Sequence, residues 1–278
     1  MAISVLFVSG PRRAGKSTVI QQVIETCEAR SPHYLRLASR NGDKHQPADT
    51  PQPLANCGVA SAKWISYDED RVYEFLPTAL GEIQHRDGCG LVIIEGDSDP
   101  LLRHAYPYDW RVFVMPAPER MSDVFRSAAQ AAEAFSAALN DTAAFAGEIY
   151  GLVEENGDDF DLGEHDSRTS LTASQVRGLM NTPLGHELAT RILLQPSHHG
   201  LLDSDILIVN TAVGGTSAVV DGCVRRLEKV LDHLSGPMQS RRLLFACDPA
   251  DPEDPLRAKL FSRLATLIGR TDTNNEST

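Results

Sequence analysis

The chain has 278 residues, 42% of them hydrophobic, and a formal net charge of -12. That length accommodates one large α/β domain, or one domain with a substantial insertion, and the apolar content supports a buried core and argues against whole-chain disorder. An acidic balance of this size repels phosphate backbones and anionic lipid, so general nucleic-acid binding and membrane-surface roles are disfavoured.

The first residues run straight into an apolar stretch with no basic n-region or cleavage site, and no apolar run is long enough to span a bilayer. The expectation is a cytoplasmic protein with no membrane association. Five cysteines (Cys27, Cys57, Cys89, Cys223 and Cys247) are scattered, odd in number and without a CxxC pair. This argues against a disulfide framework or a four-cysteine zinc site.

In chain order, apolar runs bounded by turn residues alternate with segments of helical period, the pattern of a mostly parallel sheet with crossover helices. Ile3–Val8 reads as a strand, followed by a helix from near Gly15 to around Arg30. A second strand covers Tyr34–Ala38, a polar loop Ser39–Cys57, and a short third strand Ala62–Tyr67. A helix from about Glu69 to His85 leads into Leu91–Glu95, a continuous apolar run typical of a central parallel strand. Trp110–Met115 is a further strand, stopped by Pro116 and Pro118.

The next stretch differs in character. Glu119–Tyr150 is alanine-rich, lacks proline and predicts one long helix or a helical pair. The acidic segment Glu154–Asp166 has too few apolar residues to pack and does not match a calcium-loop pattern, so it reads as a flexible loop or insertion joint. Helical segments resume at Ser174–Leu179 and Leu184–Leu194. The sheet pattern then returns with strand Asp205–Asn210, helix Ser217–Leu234, strand Leu243–Cys247 and a closing helix Pro255–Ile268. The polar tail 271–278 is expected to be disordered. The layout is thus a core over 1–118 and 203–270, interrupted by a helical insertion over 119–202.

The most specific feature lies between the first strand and the first helix. Gly10-Pro-Arg-Arg-Ala-Gly15-Lys16-Ser17 satisfies GxxxxGK[ST]. Glycines let the backbone curl so that successive N–H groups face phosphate oxygens, and the helix N-terminus adds its positive dipole end. Lys16 suits the β and γ phosphates, the Ser17 hydroxyl suits Mg²⁺, and Thr18 lies where it can meet the α phosphate. Ala14, Gly15 and Arg13 complete the phosphate-facing loop. Arg12 and Arg13 are unusual in it: one can reach a phosphate of its own or of a facing subunit, or both are solvated at an exposed bend. The motif implies a Mg²⁺-bound nucleoside triphosphate and the P-loop NTPase fold.

Such a loop needs an acidic residue at the end of a neighbouring strand, and Leu91-Val-Ile-Ile-Glu95-Gly96-Asp97 offers one. The apolar residues deliver Glu95 to the C-terminal edge, where open α/β sheets place their ligands. Gly96 is expected to permit close backbone approach to the phosphates, and Asp97 and Asp99 follow.

Taken in order, MAISVLFVSGPRRAGKST, CGVASAKWISY and LVIIEGDSDP resemble the small P-loop proteins that assist molybdopterin-guanine dinucleotide synthesis. The Glu95-Gly96 pair is also similar to the metallochaperone GTPases of urease and hydrogenase maturation and of the cobalamin-synthesis type. These are SIMIBI-class P-loop NTPases, many of which act as dimers. The resemblance covers roughly residues 1–115 and, more loosely, 203–268. It implies that Glu95 takes the acidic Mg²⁺ role, with Asp97 as runner-up. It also makes the loop holding Asp43, Lys44 and His45 a γ-phosphate-sensing switch, with Asp43 a further metal candidate, against plain surface as the alternative. GTPases of this class carry NKxD after the strand equivalent to Asp205–Asn210, whereas this chain has Asn210-Thr211-Ala212-Val213. Asn210 is therefore either a base contact or a strand-terminating turn former, and ATP and GTP both stay open.

Weaker signals read as structure. His198-His199, with His186, is the one histidine cluster, yet no cysteine or acidic residue completes a set at ligand spacing. Leu194–Leu202 reads as a structured connection into the following strand, and Pro183–Glu187 as a helix start. The favoured function is slow Mg²⁺-dependent hydrolysis of ATP or GTP, with Lys16, Glu95 and Asp97 as the catalytic candidates. The nucleotide state would control an unidentified protein partner, in a possible homodimer. Alternatives are a small-molecule kinase with the insertion as a lid over its acceptor, and a nucleotide-binding scaffold of low turnover.

Overall fold

The computed structural model describes residues 4–27, 32–39, 61–67, 72–87, 90–96, 102, 105–140, 190–214, 217–234 and 242–270. The acidic segment, the predicted helix at 174–179 and the tail 271–278 lie outside them, as do Asp43, Lys44, His45, Asp97 and Asp99.

Among the described residues seven strands form one sheet: β1 Ser4–Ser9, β2 His33–Ser39, β3 Ser61–Tyr67, β4 Leu91–Glu95, β5 Trp110–Ala117, β6 Ile206–Gly214 and β7 Leu243–Cys247. Their order is β3-β2-β4-β1-β5-β6-β7, and each pairing is parallel. Among the described residues the α-helices are α1 Lys16–Thr26, α2 Val72–Asp87, α3 Ala128–Asn140, α4 Ser217–Leu234 and α5 Pro255–Arg270. Parallel neighbours need crossovers, and α1, α2 and α4 lie in them, while α5 follows the last strand.

Alternation along the strands divides the core. Leu6 and Val8 of β1, Ile93 of β4 and Val114 of β5 face Val19, Ile20 and Val23 of α1 and Leu260 and Leu264 of α5. Their neighbours point the other way: Phe7 and Ile94 pack under Leu76 and Leu80 of α2. Phe113 and Leu207 lie with Val220, Leu227 and Leu231 of α4. β1 and β4 are buried on both faces, which explains their unbroken apolar sequences. At the N-terminal edge of the sheet, the Asp109 carboxylate accepts from Val5 N–H at 2.7 Å and Asp205 from Arg111 N–H at 2.7 Å. Burial, offset in part by Arg111, pushes the Asp205 carboxyl above its usual range.

Several sequence expectations shift. β5 does not stop before Pro116 but runs through it to Ala117. Proline lacks an N–H, and the register with β6 breaks between Pro116 and Ala117, a bulge of the kind that accommodates it. The helix expected from Glu119 begins only at Ala128, after a 3₁₀ turn at Met121–Asp123. The Asp123 carboxylate accepts from the N–H groups of Glu119 and Arg120, a local turn that competes with a continuous helix. Leu194 ends its helical segment in an antiparallel bridge to Phe125. Gln195 N–H donates to Val124 C=O and Arg126 N–H to Leu193 C=O, so the chain enters and leaves the 127–192 region side by side.

Candidate functional site

β1 is central, and the chain moves to β2 on one side and later to β5 on the other. Strand order therefore reverses beside β1, and a crevice at the C-terminal edge of such a point is where open α/β sheets bind ligands. Residues 10–15 fill it.

The loop conformation requires its glycines. Gly10 has φ 142°, and a Cβ there would stand 1.9 Å from the Val114 carbonyl oxygen. Gly15 has φ 94°, and its Cβ would meet Asn210 Nδ2 at 2.3 Å. Arg13 is also left-handed, at φ 59°, a conformation uncommon outside glycine, asparagine and aspartate. Gly15 is the N-cap of α1 and offers no side-chain cap. The helical ladder starts with Val19 N–H to Gly15 C=O at 3.1 Å, so the amides of residues 16–18 stand outside it at the positive end of the helix dipole. Lys16 folds back, its ammonium donating to the carbonyls of Gly10 at 2.7 Å and Pro11 at 3.0 Å.

A cleft of about 260 Å³ opens here, lined by residues 12–17 on one side and by Arg36 and Glu95 on the other. Glu95, only 3% exposed, ends β4 next to β1, in register with Arg36 of β2. The Tyr34 hydroxyl, also on β2, donates to Glu95 Oε2. Burial, followed by the adjacent Glu95 charge, drives the Tyr34 hydroxyl far above its ordinary range, so it remains a proton donor. Tyr34, Arg36 and Glu95 alternate onto the α1 side of the sheet.

Loop residues Arg13, Ala14, Gly15, Lys16 and Ser17 thus share one cleft with Glu95, while Gly10 forms the turn leading into it. Arg12 and Arg13 are exposed and still line it. Thr18 lies in the first turn of α1, outside the cleft lining. Asn210 is 4% exposed and engaged with backbone: its Nδ2 donates to Ala14 C=O at 3.0 Å and its Oδ1 accepts from Ala212 N–H at 3.0 Å. It ties the end of β6 to the phosphate loop. A Cβ at Gly96 would lie 2.9 Å from both the Leu102 and Phe7 side chains, so packing by itself calls for glycine there.

Tyr34 and Arg36 were not singled out from sequence. The alternation in HYLRLAS puts them on one face, but that β2 lies beside β4 is a fact of topology.

The histidine pair lies in a 3₁₀ turn, Pro196–Leu201, that packs beneath β5. Burial pushes His198 down to about 4 against the opposing pull of Asp123, and Ser197 Oγ lies 3.0 Å from its Nδ1. Among the described residues no group of three or more His, Cys, Asp or Glu side chains could hold a metal, and no helix is long and apolar enough to cross a membrane. Burial raises the Cys247 thiol to about 12, leaving it protonated at neutral pH.

A glycine-bounded loop joining a parallel strand to a helix, with lysine and serine opening that helix and a carboxylate on the adjacent strand, defines a P-loop α/β fold. Among solved structures, the chain is similar to an LAO/AO transport system kinase, with 11% identity and a TM-score of 0.43 over 99% of this chain and 68% of that one. It is also similar to HypB from Helicobacter pylori, solved in complex with nickel, with 11% identity and a TM-score of 0.46 over 97% of this chain and 88% of that one. No family model matches the chain, and no curated protein matches it. Neither structural likeness bears on what this chain binds.

Proposed function

We propose that the cleft binds ATP or GTP with Mg²⁺ and hydrolyses it, the chain acting as a nucleotide-controlled accessory or switch protein of the SIMIBI kind. The observation that carries this reading is the opening of α1. A left-handed glycine N-cap leaves the first-turn amides without a side-chain cap, with Lys16 buried beside them and Glu95 across the cleft.

The donor set suits a hard cation, because Mg²⁺ takes oxygen ligands and Ser17 and Glu95 both border the cleft. When bound, Mg²⁺ neutralises charge on the last two phosphates. The chain's own groups supply the remainder. Lys16 exchanges its carbonyl partners for phosphate oxygens, and the first-turn amides cradle the polyphosphate. Donors fixed before the reaction need no reorganisation as charge moves onto the leaving oxygen, which is the main source of catalysis in such sites. Glu95, held through Oε2 by Tyr34, is the group at hand to hold the metal's water shell or orient the attacking water. Asp97 remains a second candidate for that role and Asp43 for the metal.

The test is phosphate release from ATP and from GTP, with Mg²⁺ and with the metal chelated, for the native chain and Lys16→Ala. Metal-dependent turnover with at least one nucleotide, lost in the variant, is expected. Turnover that survives Lys16→Ala would overturn the assignment.

A further inference from the structure

We propose that Arg36 is a specificity-determining residue of the cleft, gripping the terminal phosphoryl group and making the site prefer a nucleoside triphosphate to a diphosphate. This rests on the nucleotide-binding reading above and assigns one more residue to that site.

The phosphate loop caps β1, Glu95 ends β4 beside it, and Arg36 stands on β2 one strand further, in register with Glu95. With strands spaced about 4.8 Å apart, Arg36 lies roughly 10 Å from the β1 axis, on the Glu95 side. Asn210 and β6 occupy the opposite flank. Ser17 and Glu95 would hold the metal, which would place the polyphosphate between the loop and β4. Its terminal group would then lie toward β2, where Arg36 lines the cleft.

Among the described residues, Arg12, Arg13, Lys16 and Arg36 border this cleft together with the carboxylate of Glu95, in a chain whose net charge is -12. Concentrating cations this way in an acidic protein suits a ligand with several negative charges. Arg12 and Arg13 are exposed on the loop bend, whereas Arg36 is half-buried on a strand paired on both sides. A guanidinium on a rigid element presents its fork to phosphate oxygens with less ordering than one on a loop. A diphosphate would engage the loop amides and Lys16 and stop short of the Arg36 end of the cleft.

The experiment is calorimetric titration with Mg²⁺ and either a non-hydrolysable triphosphate or the matching diphosphate, adenine and guanine forms separately. The chains are native, Arg36→Ala, Arg36→Lys and, as a loop control, Arg12→Ala. Native protein is expected to prefer the triphosphate. Arg36→Ala should lose roughly 10- to 100-fold in triphosphate affinity, the range for a hydrogen bond to a charged group, with diphosphate affinity changed less than about threefold. Arg36→Lys keeps the charge without the fork and should fall between. It also provides a folded comparison if Arg36→Ala is unstable. Equal loss for both nucleotides, or no loss in either Arg36 variant, overturns the assignment while leaving nucleotide binding intact. Failure of the native chain to bind any nucleotide overturns the reading beneath it as well.

Discussion

Asn210 offers the sharpest test of how the phosphate loop is held. Its side chain makes two bonds to backbone, donating to Ala14 C=O and accepting from Ala212 N–H, each at 3.0 Å in a buried or half-buried setting. Asn210→Ala removes both. Each neutral bond contributes about 1 kcal/mol net, and leaving the Ala14 carbonyl buried and unpartnered adds about 1–2 kcal/mol, so the variant should lose about 3 kcal/mol of stability. The loop loses its tie to β6 at the same time, so phosphate binding should weaken whatever base is attached. The assay pairs urea unfolding with titration of ATP, GTP and inorganic tripolyphosphate. A structural brace predicts lower stability and a parallel loss, about tenfold, for all three ligands, tripolyphosphate included. Unchanged stability, with tripolyphosphate affinity intact and only the nucleotides weakened, would refute the brace and make Asn210 a base contact.

Other substitutions probe the same frame. Gly10→Ala drives a methyl into the Val114 carbonyl at a positive φ, and should cost about 2–4 kcal/mol in chemical denaturation; a neutral result would show that the loop is shaped differently. Tyr34→Phe strips the buried Glu95 carboxylate of its hydroxyl donor and should destabilise by about 1.5–3 kcal/mol, with the Mg²⁺ requirement for nucleotide binding moved to higher concentration. His198 is held near 4 when folded against 6.5 when unfolded, so between those values the unfolded chain binds the extra proton. A histidine depressed in this way contributes stability above pH 6.5 that is lost as pH falls toward 4. Between about pH 7.5 and about pH 4.5 the native chain should therefore lose about 2.5 kcal/mol more than His198→Gln does; parallel stability curves would contradict this.

How far the sequence carried depended on whether the signal was local. The loop declared itself because its glycines, lysine and serine sit at fixed spacing between an apolar run and a helix. β4 matched its expected bounds because four buried apolar residues run unbroken up to Glu95. Helix α4 matched as well, its apolar face recurring at helical spacing. β5 outran its expected end because a bulge absorbs Pro116, and nothing near that proline announces a bulge. Alanine content suggested a helix from Glu119, but Asp123 caps a tight turn there instead. In the site, Glu95 was legible as the carboxylate ending an apolar run. Tyr34 and Arg36 were not, because their relation to Glu95 comes from β2 lying beside β4. That the missing side chain of Gly96 makes room for Leu102 and Phe7 was not legible either, because it is a contact between distant segments.

The central claim is that residues 10–18 form a phosphate site for a nucleoside triphosphate. The most direct test is a thermal-shift panel of ATP, GTP, ADP and GDP, with and without Mg²⁺, on the native chain and on Lys16→Ala. A ligand that binds only the folded state stabilises it by about 2.7 kcal/mol at a hundred times its Kd. At least one triphosphate should raise the melting temperature of the native chain in a Mg²⁺-dependent way, and that rise should vanish in Lys16→Ala. No shift with either ATP or GTP, or the same shift in both proteins, would contradict the account.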